Sequence, residues 1–302
     1  MGFIFAPEFR RLTMNQLLYY LIIKPLSLLP LRVLYVFSDL LFVILYHIAG
    51  YRKKVVMTNL RNSFPEKGDA ELKRIAAKFY HHFCDMMIES IRIFSIPEQE
   101  AVRRCKVLNP EFLDAYAEKG TSLICVGAHY ANWEMAAIGF NSQIRHWVVG
   151  IYSPLKNAYF DNLVQTSRTR YGTGIANRRH IPEFMDEHKD RLTVYFFIGD
   201  QSPSSSEMKQ YWTTFLHQET GVLLGAEKYA KLYNYPVVYI LLRKVKRGYY
   251  TGEFVSVEDH PLEAEEFSIT EKHVRILESE IRRQPEYWLW THRRWKHQRP
   301  DS

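Results

Sequence analysis

Apolar and polar positions along the chain fall into three patterns. Residues 14–50 are almost continuously apolar, residues 54–94 repeat at three and four, and the remainder alternates short apolar runs with amphipathic stretches. In the first block Lys24, Arg32 and Asp39 interrupt the apolar run, and Pro25 and Pro30 break any long helix. No 18-residue window is free of charge, so the block stops just short of a plain spanning helix. Residues 33–50 come closest, with Asp39 and His47 inside and Arg52, Lys53 and Lys54 immediately after. If this stretch inserts, those cations mark the cytoplasmic side; a pair of core helices would show the same pattern. A removed signal peptide is not expected, since the run ends without a small-residue cleavage site.

The second block predicts two helices separated by a turn at residues 64–69, where Pro65 and Gly68 break the pattern and Asp69 can cap the second helix. Leu72, Ile75, Ala76, Phe79, Phe83, Met86 and Met87 form one stripe, read as a core face. Asp85 and Glu89 are read as solvated or paired. Short helices are expected after Pro97 and from Asn109-Pro110 to the breaker Gly120. Apolar runs at 122–126, 146–151, 192–198, 236–242 and 249–257 predict strands. Helical pattern lies between them, around Phe160, Leu163 and Val164, over 220–233 and over 269–283, with a loop through Tyr211-Trp212 and a serine-rich loop at 202–206. Strands alternating with helices predict an α/β fold.

Candidate chemistry gathers where the strand at 122–126 ends. Gly127 and Ala128 keep the turn small, His129 stands in it, Asn132 can cap the next helix, and Glu134 falls in that helix's first turn, where the dipole favours a carboxylate. On one continuous helix residues five apart diverge by roughly 140°. His129 and Glu134 therefore meet only if His129 lies in the loop and the chain turns back, which is the geometry expected of a histidine base oriented by a carboxylate. A histidine merely near a helix with a dipole-serving glutamate gives the same string. Arg168, Arg170, Arg178 and Arg179 cluster around Tyr171-Gly172, a grouping suited to phosphate or carboxylate as well as to a solvated basic face. Asp200, after the strand at 192–198, is placed to orient an arginine or a ligand, or to cap a turn. The chain closes on three tryptophans interleaved with basic residues from Trp288 to Lys296, a pattern suited to bases, a membrane surface or a phosphorylated head group.

Composition narrows the partners. Forty Lys and Arg against 33 Asp and Glu give a net charge of +7, which favours an anionic partner such as phospholipid, a phosphorylated ligand, an acidic carrier protein or nucleic acid. Cys84, Cys105 and Cys125 are odd in number and far apart, so they read as reduced thiols with no metal or disulfide framework. Phosphate-loop, zincin and serine-hydrolase motifs are missing. The length allows one large domain with an N-terminal extension, divided here as an apolar membrane-associating segment over 1–50 and a main domain over 51–302.

Taken together the motifs resemble the lipid A biosynthesis acyltransferases of the HX4D/E group. His129-Tyr-Ala-Asn-Trp-Glu134 is similar to that family's HX4E element. Residues 150–161 with Arg168 and Arg170 resemble its second block, and Gly199-Asp200-Gln201 its third. Residues 285–296 resemble its terminal signature and Asn59-Leu-Arg-Asn-Ser-Phe-Pro65 an N-terminal one. Ser153 departs from the pattern, since many members carry a basic residue there. The resemblance implies a mixed central sheet flanked by helices, glycerolipid-acyltransferase-like, with an apolar N-terminal helical membrane anchor. It implies transfer of an acyl chain from a thioester, carried by acyl carrier protein or coenzyme A, to a hydroxyl of a lipid A precursor on the cytoplasmic side of the inner membrane. His129 would be the base and Glu134 its orienting partner, with no metal or other cofactor and no nucleic acid. Backbone amides near His129 and the arginines around Arg168 and Arg170 would stabilise the oxyanion, Asp200 would hold one of these arginines, and Arg293 and Arg294 would bind acceptor phosphates or close the site. An enzyme acting on another lipid, such as a lysophospholipid or aminolipid, differs only in the acceptor. A non-enzymatic basic protein would leave the His129 and Glu134 arrangement without a purpose.

Overall fold

Buried strands between helices build the molecule, seen in a computed structural model that describes residues 13–203 and 208–299. Residues 204–206 of the serine-rich loop lie outside the described residues. At the N-terminus α1 (Met14–Leu18) continues through a π-helical stretch, Tyr19–Ile23, into α2 (Lys24–Leu28). Pro25 lies in the first turn of α2 without interrupting the helical run, Pro30 breaks the chain as expected, and α3 (Leu31–Phe42) runs on through π-helical turns at Val43–Ile48. By length and composition Leu31–Ile48 could cross a membrane.

The two faces of this helix differ. Leu31 and Leu34 pack on Ile88 of α5 (Asp69–Arg92). Ser38 donates to Asp85 at 2.8 Å, and Arg247 bridges Asp39 and Asp85 at 2.5 and 2.6 Å. On the opposite face Val33, Val36, Phe37, Leu40, Val43 and Ile44 are exposed, Val36 by 67%. Along the chain, α4 (Lys53–Ser63) comes between α3 and α5. The stripe on α5 is a core face through Leu72, Ile75, Ala76, Phe79 and Met86, whereas Met87 is exposed. Asp69 does not cap this helix: Gly68 occupies that position and Asp69 pairs with Arg61. Asp85 and Glu89 are fully buried and paired.

The rest of the chain runs α6 (Glu98–Arg104), β1 (Cys105–Val107), α7 (Pro110–Ala117), β2 (Leu123–Gly127), α8 (Trp133–Gly139), β3 (Trp147–Tyr152), α9 (Ala158–Thr169), β4 (Gly174–Asn177), α10 (Ile181–Glu187) and β5 (Thr193–Ile198). After these come β6 (Gln210–Phe215), β7 (Gln218–Leu223), α11 (Gly225–Tyr233), β8 (Val237–Lys246), β9 (Tyr249–Glu258) and α12 (Ser268–Arg283). Seven strands form a mixed sheet in the order β1-β9-β8-β2-β5-β3-β4. From β8 to β4 every pair is parallel, and β9 runs antiparallel to β8. The central β2 is buried at every position, as its unbroken apolar run requires of a strand covered on both faces. The architecture is the expected α/β sheet flanked by helices. All three cysteines are buried free thiols.

Another expectation was wrong. Tyr211-Trp212 and the start of the stretch at 220–233 belong to a separate two-stranded hairpin, β6 with β7, and the helix begins only at Gly225. Its two-residue turn, Leu216-His217, takes positive φ of 49° and 62° without glycine or asparagine. Such turns are normally signalled by Asn-Gly or Asp-Gly. Here burial of Leu216 and a bond from its amide to Glu278 at 3.0 Å hold the turn instead.

Candidate active site

Adjacent parallel strands bring the chemistry together. β2 and β5 pair with Gly127 beside Ile198, so residues two beyond each strand, His129 and Asp200, come side by side above the sheet. A Cβ at Gly127 would lie 3.0 Å from the Ile240 side chain and 3.1 Å from that of Ile198, so this small residue lets the turn leave the sheet closely packed. His129 Nδ1 lies 2.7 Å from Asp200 Oδ1, and its backbone N–H donates to Oδ2 at 3.1 Å. Trp288 Nε1 donates to the same Oδ2 at 2.8 Å.

The electrostatics follow from these bonds. Burial pushes the Asp200 carboxyl up, but the charge of His129 and the donors around it outweigh burial and hold it below the ordinary aspartate value. Burial pushes His129 down, yet Asp200, and behind it Glu134, raise its pKa above the ordinary histidine value. An ionised Asp200 accepts a proton-bearing Nδ1, which leaves the lone pair on Nε2. That nitrogen lies 3.3 Å from the Gln201 amide nitrogen, and Trp133 packs edge-on to the ring at 4.8 Å. The imidazole is one-fifth exposed, so Nε2 is placed to take a proton from a ligand.

Glu134 is not hydrogen-bonded to His129. Its carboxylate grips Arg168 instead, with Nε at 3.1 Å and Nη2 at 2.6 and 2.7 Å from its two oxygens. The expected pairing is thus redistributed: Asp200 orients the histidine, and Glu134 orients an arginine that also lies over the Tyr152 ring. His129 does lie in the loop, since α8 begins only at Trp133, capped by the Asn132 side chain on Met135 N–H. Glu134 and Arg168 stay close enough to act on His129 through their charges.

A family model for bacterial lipid A biosynthesis acyltransferases matches residues 3–297. This chain belongs to that family. It is also similar to the lipid A biosynthesis lauroyltransferase of Escherichia coli (strain K12), 24% identical over 249 residues, which are 81% of this chain and 79% of that one.

The acyltransferase places its other arginines less uniformly than the sequence suggested. Arg170 donates to the Phe94 carbonyl at 2.5 Å and lies over Tyr171, away from Glu134. Among the described residues, no arginine side chain is hydrogen-bonded to Asp200. Arg293 is exposed. Arg294 is buried, lines one cavity with Asp200, is bonded to the Gly221 carbonyl at 2.7 Å and is pushed down to about 10 by burial. Two of the three terminal tryptophans are equally internal. Trp288 and Trp290 are buried, and Trp295 donates to Thr220 at 2.7 Å, so the segment seals the underside of the site rather than offering rings to a ligand. Sequence reasoning missed Trp288, Gln201 and Trp133 as residues touching the His129 and Asp200 pair. It also missed His292, which accepts from the Ser202 amide at 3.1 Å. Each sits inside a motif already noted, at a position whose direction only the fold reveals.

Proposed function

We propose that this acyltransferase moves an acyl chain from a thioester, most naturally that of an acyl carrier protein with coenzyme A as the other donor, to a hydroxyl of a lipid A precursor. The reading rests above all on His129, whose Nδ1 is held by Asp200 while Nε2, 3.3 Å from the Gln201 amide nitrogen, keeps the lone pair. Nε2 takes the proton of the acceptor hydroxyl as its oxygen attacks the thioester carbonyl carbon. The C–O bond forms, negative charge collects on the carbonyl oxygen, and Asp200 stabilises the imidazolium. Collapse breaks the C–S bond, and the proton on Nε2 passes to the departing sulfur, giving ester and free thiol. Arg168, fixed by Glu134, supplies fixed positive charge beside this oxyanion or beside a phosphate of the acceptor. The exposed Arg178, Arg179 and Arg293 suit an anionic carrier or head group.

Residues 1–50 act in this proposal as the membrane-associating segment of a main domain over 51–302. The outer face of α3 sits in the hydrocarbon edge of the inner membrane and keeps the site on the cytoplasmic side. Support comes from the two-faced helix, whose inner stripe is bonded to buried groups of α5 over successive turns, as fits a helix lying along the domain. The test is turnover of a purified acyl carrier protein thioester, or of acyl coenzyme A, with a lipid A precursor. His129→Ala should lower kcat by roughly 10³-fold or more, as loss of a base does in comparable triads. Wild-type turnover by this variant would remove the mechanism, and a lysophospholipid accepted in preference would redirect the acceptor.

A further inference from the structure

The turn carrying His129 holds a residue in an unfavourable conformation. Ala131 has a φ of +52°, a left-handed backbone that non-glycine residues rarely adopt. The neighbouring elements pin it there. Its N–H donates to the Tyr287 carbonyl at 2.9 Å, and its own carbonyl accepts from His82 Nε2 on α5 at 3.2 Å. Lys244 faces the other nitrogen of His82 at 3.3 Å, which fixes the tautomer that donates to Ala131.

The next residue extends the chain of bonds. Asn132 Oδ1 caps α8 by accepting from Met135 N–H at 2.9 Å, so its amide nitrogen must point the other way. There it meets Glu89 Oε2 at 2.5 Å. Tyr250 OH donates to the same oxygen at 2.8 Å, and Tyr35 OH donates to Oε1 at 2.7 Å. Glu89 is wholly inaccessible, and these three partners are uncharged donors. With no cation among these partners, burial pushes the Glu89 carboxyl above the ordinary glutamate range, toward its neutral form, and its place is set by these three bonds.

We propose that Glu89 is a positioning residue for acyl transfer, fixing through Asn132 the strained turn that presents His129 and starts the helix bearing Glu134. The inference rests on the reading of His129 as the base. The two carboxyl oxygens can accept all three donors at once, and a side chain without an acceptor would release Asn132 from its second bond. The turn would then lose one of the contacts that oppose relaxation at Ala131, and an ångström of drift at His129 suffices to slow transfer. Tyr35 belongs to α3, so the helix offered to the membrane and the catalytic turn share one acceptor.

The experiment compares full-length variants for cooperative melting and for kcat and KM toward both substrates. Glu89→Leu should lower kcat by ~100-fold with KM within ~3-fold of wild type, as misplacement without lost binding does. Glu89→Gln keeps an acceptor for Asn132 and should stay within ~5-fold in kcat. Tyr35→Phe removes a donor from the far oxygen alone and should melt earlier with unchanged kcat. Asn132→Asp sets a carboxylate against Glu89 and should behave like Glu89→Leu, and adding Glu89→Gln restores a donor and should recover kcat ~10-fold. This pair carries the test if Glu89→Leu does not fold. Wild-type kcat in folded Glu89→Leu or in Asn132→Asp overturns the proposal, as does a double variant no better than Asn132→Asp. If His129→Ala is inactive in the same assay, that failure belongs to Glu89 alone; if His129→Ala is active, the reading of the base has failed first.

Discussion

His129 depends on Asp200 for both its tautomer and its charge, and the two dependences separate in a pH profile. Because Asp200 raises the imidazole pKa, the neutral base is lost as pH falls through a value above the ordinary ~6.5. The acid limb of kcat/KM should therefore lie above that value. Asp200→Asn removes the charge while keeping the shape, and burial, which pushes His129 down, is left as the main influence. The limb should move to lower pH and kcat should drop by ~10²–10⁴, the range for losing the orienting carboxylate of a triad. An unmoved limb with undiminished kcat would show that Asp200 does not serve the base. In the sequence the two residues were legible singly, each just past a predicted strand, but their meeting was not. β3 and β4 intervene between β2 and β5 in the chain yet lie outside them in the sheet, and that order leaves no mark in local periodicity. Glu134, closer in sequence, was therefore the natural partner to expect, although its bonds go to Arg168.

At the level of elements, legibility followed length and turn chemistry. The long stripe of α5 and the unbroken run of β2 could be read because burial repeats along them. β1 and β4 are three and four residues long at the sheet's edges, too short for any period to declare itself. The β6–β7 hairpin was hidden because tertiary contacts, not glycine, hold its turn. The apolar outer face of α3 raised a question that periodicity could not decide, since a spanning helix and a helix lying on the domain are equally apolar outward. Bonds from its inner face to Asp85, Glu89 and Arg247 favour the second arrangement. Val36→Arg with Leu40→Arg places two cations on the outward face, 67% and 58% exposed, and leaves those bonds intact. Each cation costs roughly 2–3 kcal/mol in hydrocarbon and less at the interface. The double variant should wash off membranes in high salt while melting within ~2 °C of wild type, because surface changes away from packing are nearly neutral. Retention through the wash would mean that this face does not hold the protein on the bilayer.

Across the whole molecule, two motifs from opposite ends of the chain prove to be one piece of structure. Asn59 donates from its amide to the carbonyls of Trp290 and His292, both at 3.0 Å, and Arg52 reaches the Thr291 carbonyl at 2.9 Å. The rings of Phe64 and Trp290 lie 5.9 Å apart. The terminal segment is thereby strapped across α4, and the strap delivers Trp288 to Asp200 with Trp290 packed against it edge-on at 4.7 Å. Trp290 is fully buried, and its Nε1 donates to the Pro285 carbonyl at 2.6 Å. Trp290→Ala leaves a large cavity and should cost ~3–5 kcal/mol. For a chain of this size that corresponds to a melting point lower by ~10 °C. Activity should suffer beyond the loss of folded protein. Assayed well below its melting point, the variant should show kcat reduced ~10-fold, because Trp288 loses its backing and with it the bond that keeps Asp200 aligned. Trp295→Phe, which removes the bond to Thr220 and keeps an aromatic ring, serves as the comparison and should keep most of its kcat. If Trp290→Ala melts lower but turns over at the wild-type rate, the strap holds the fold together without holding the site, and the positioning of Asp200 must come from the sheet alone.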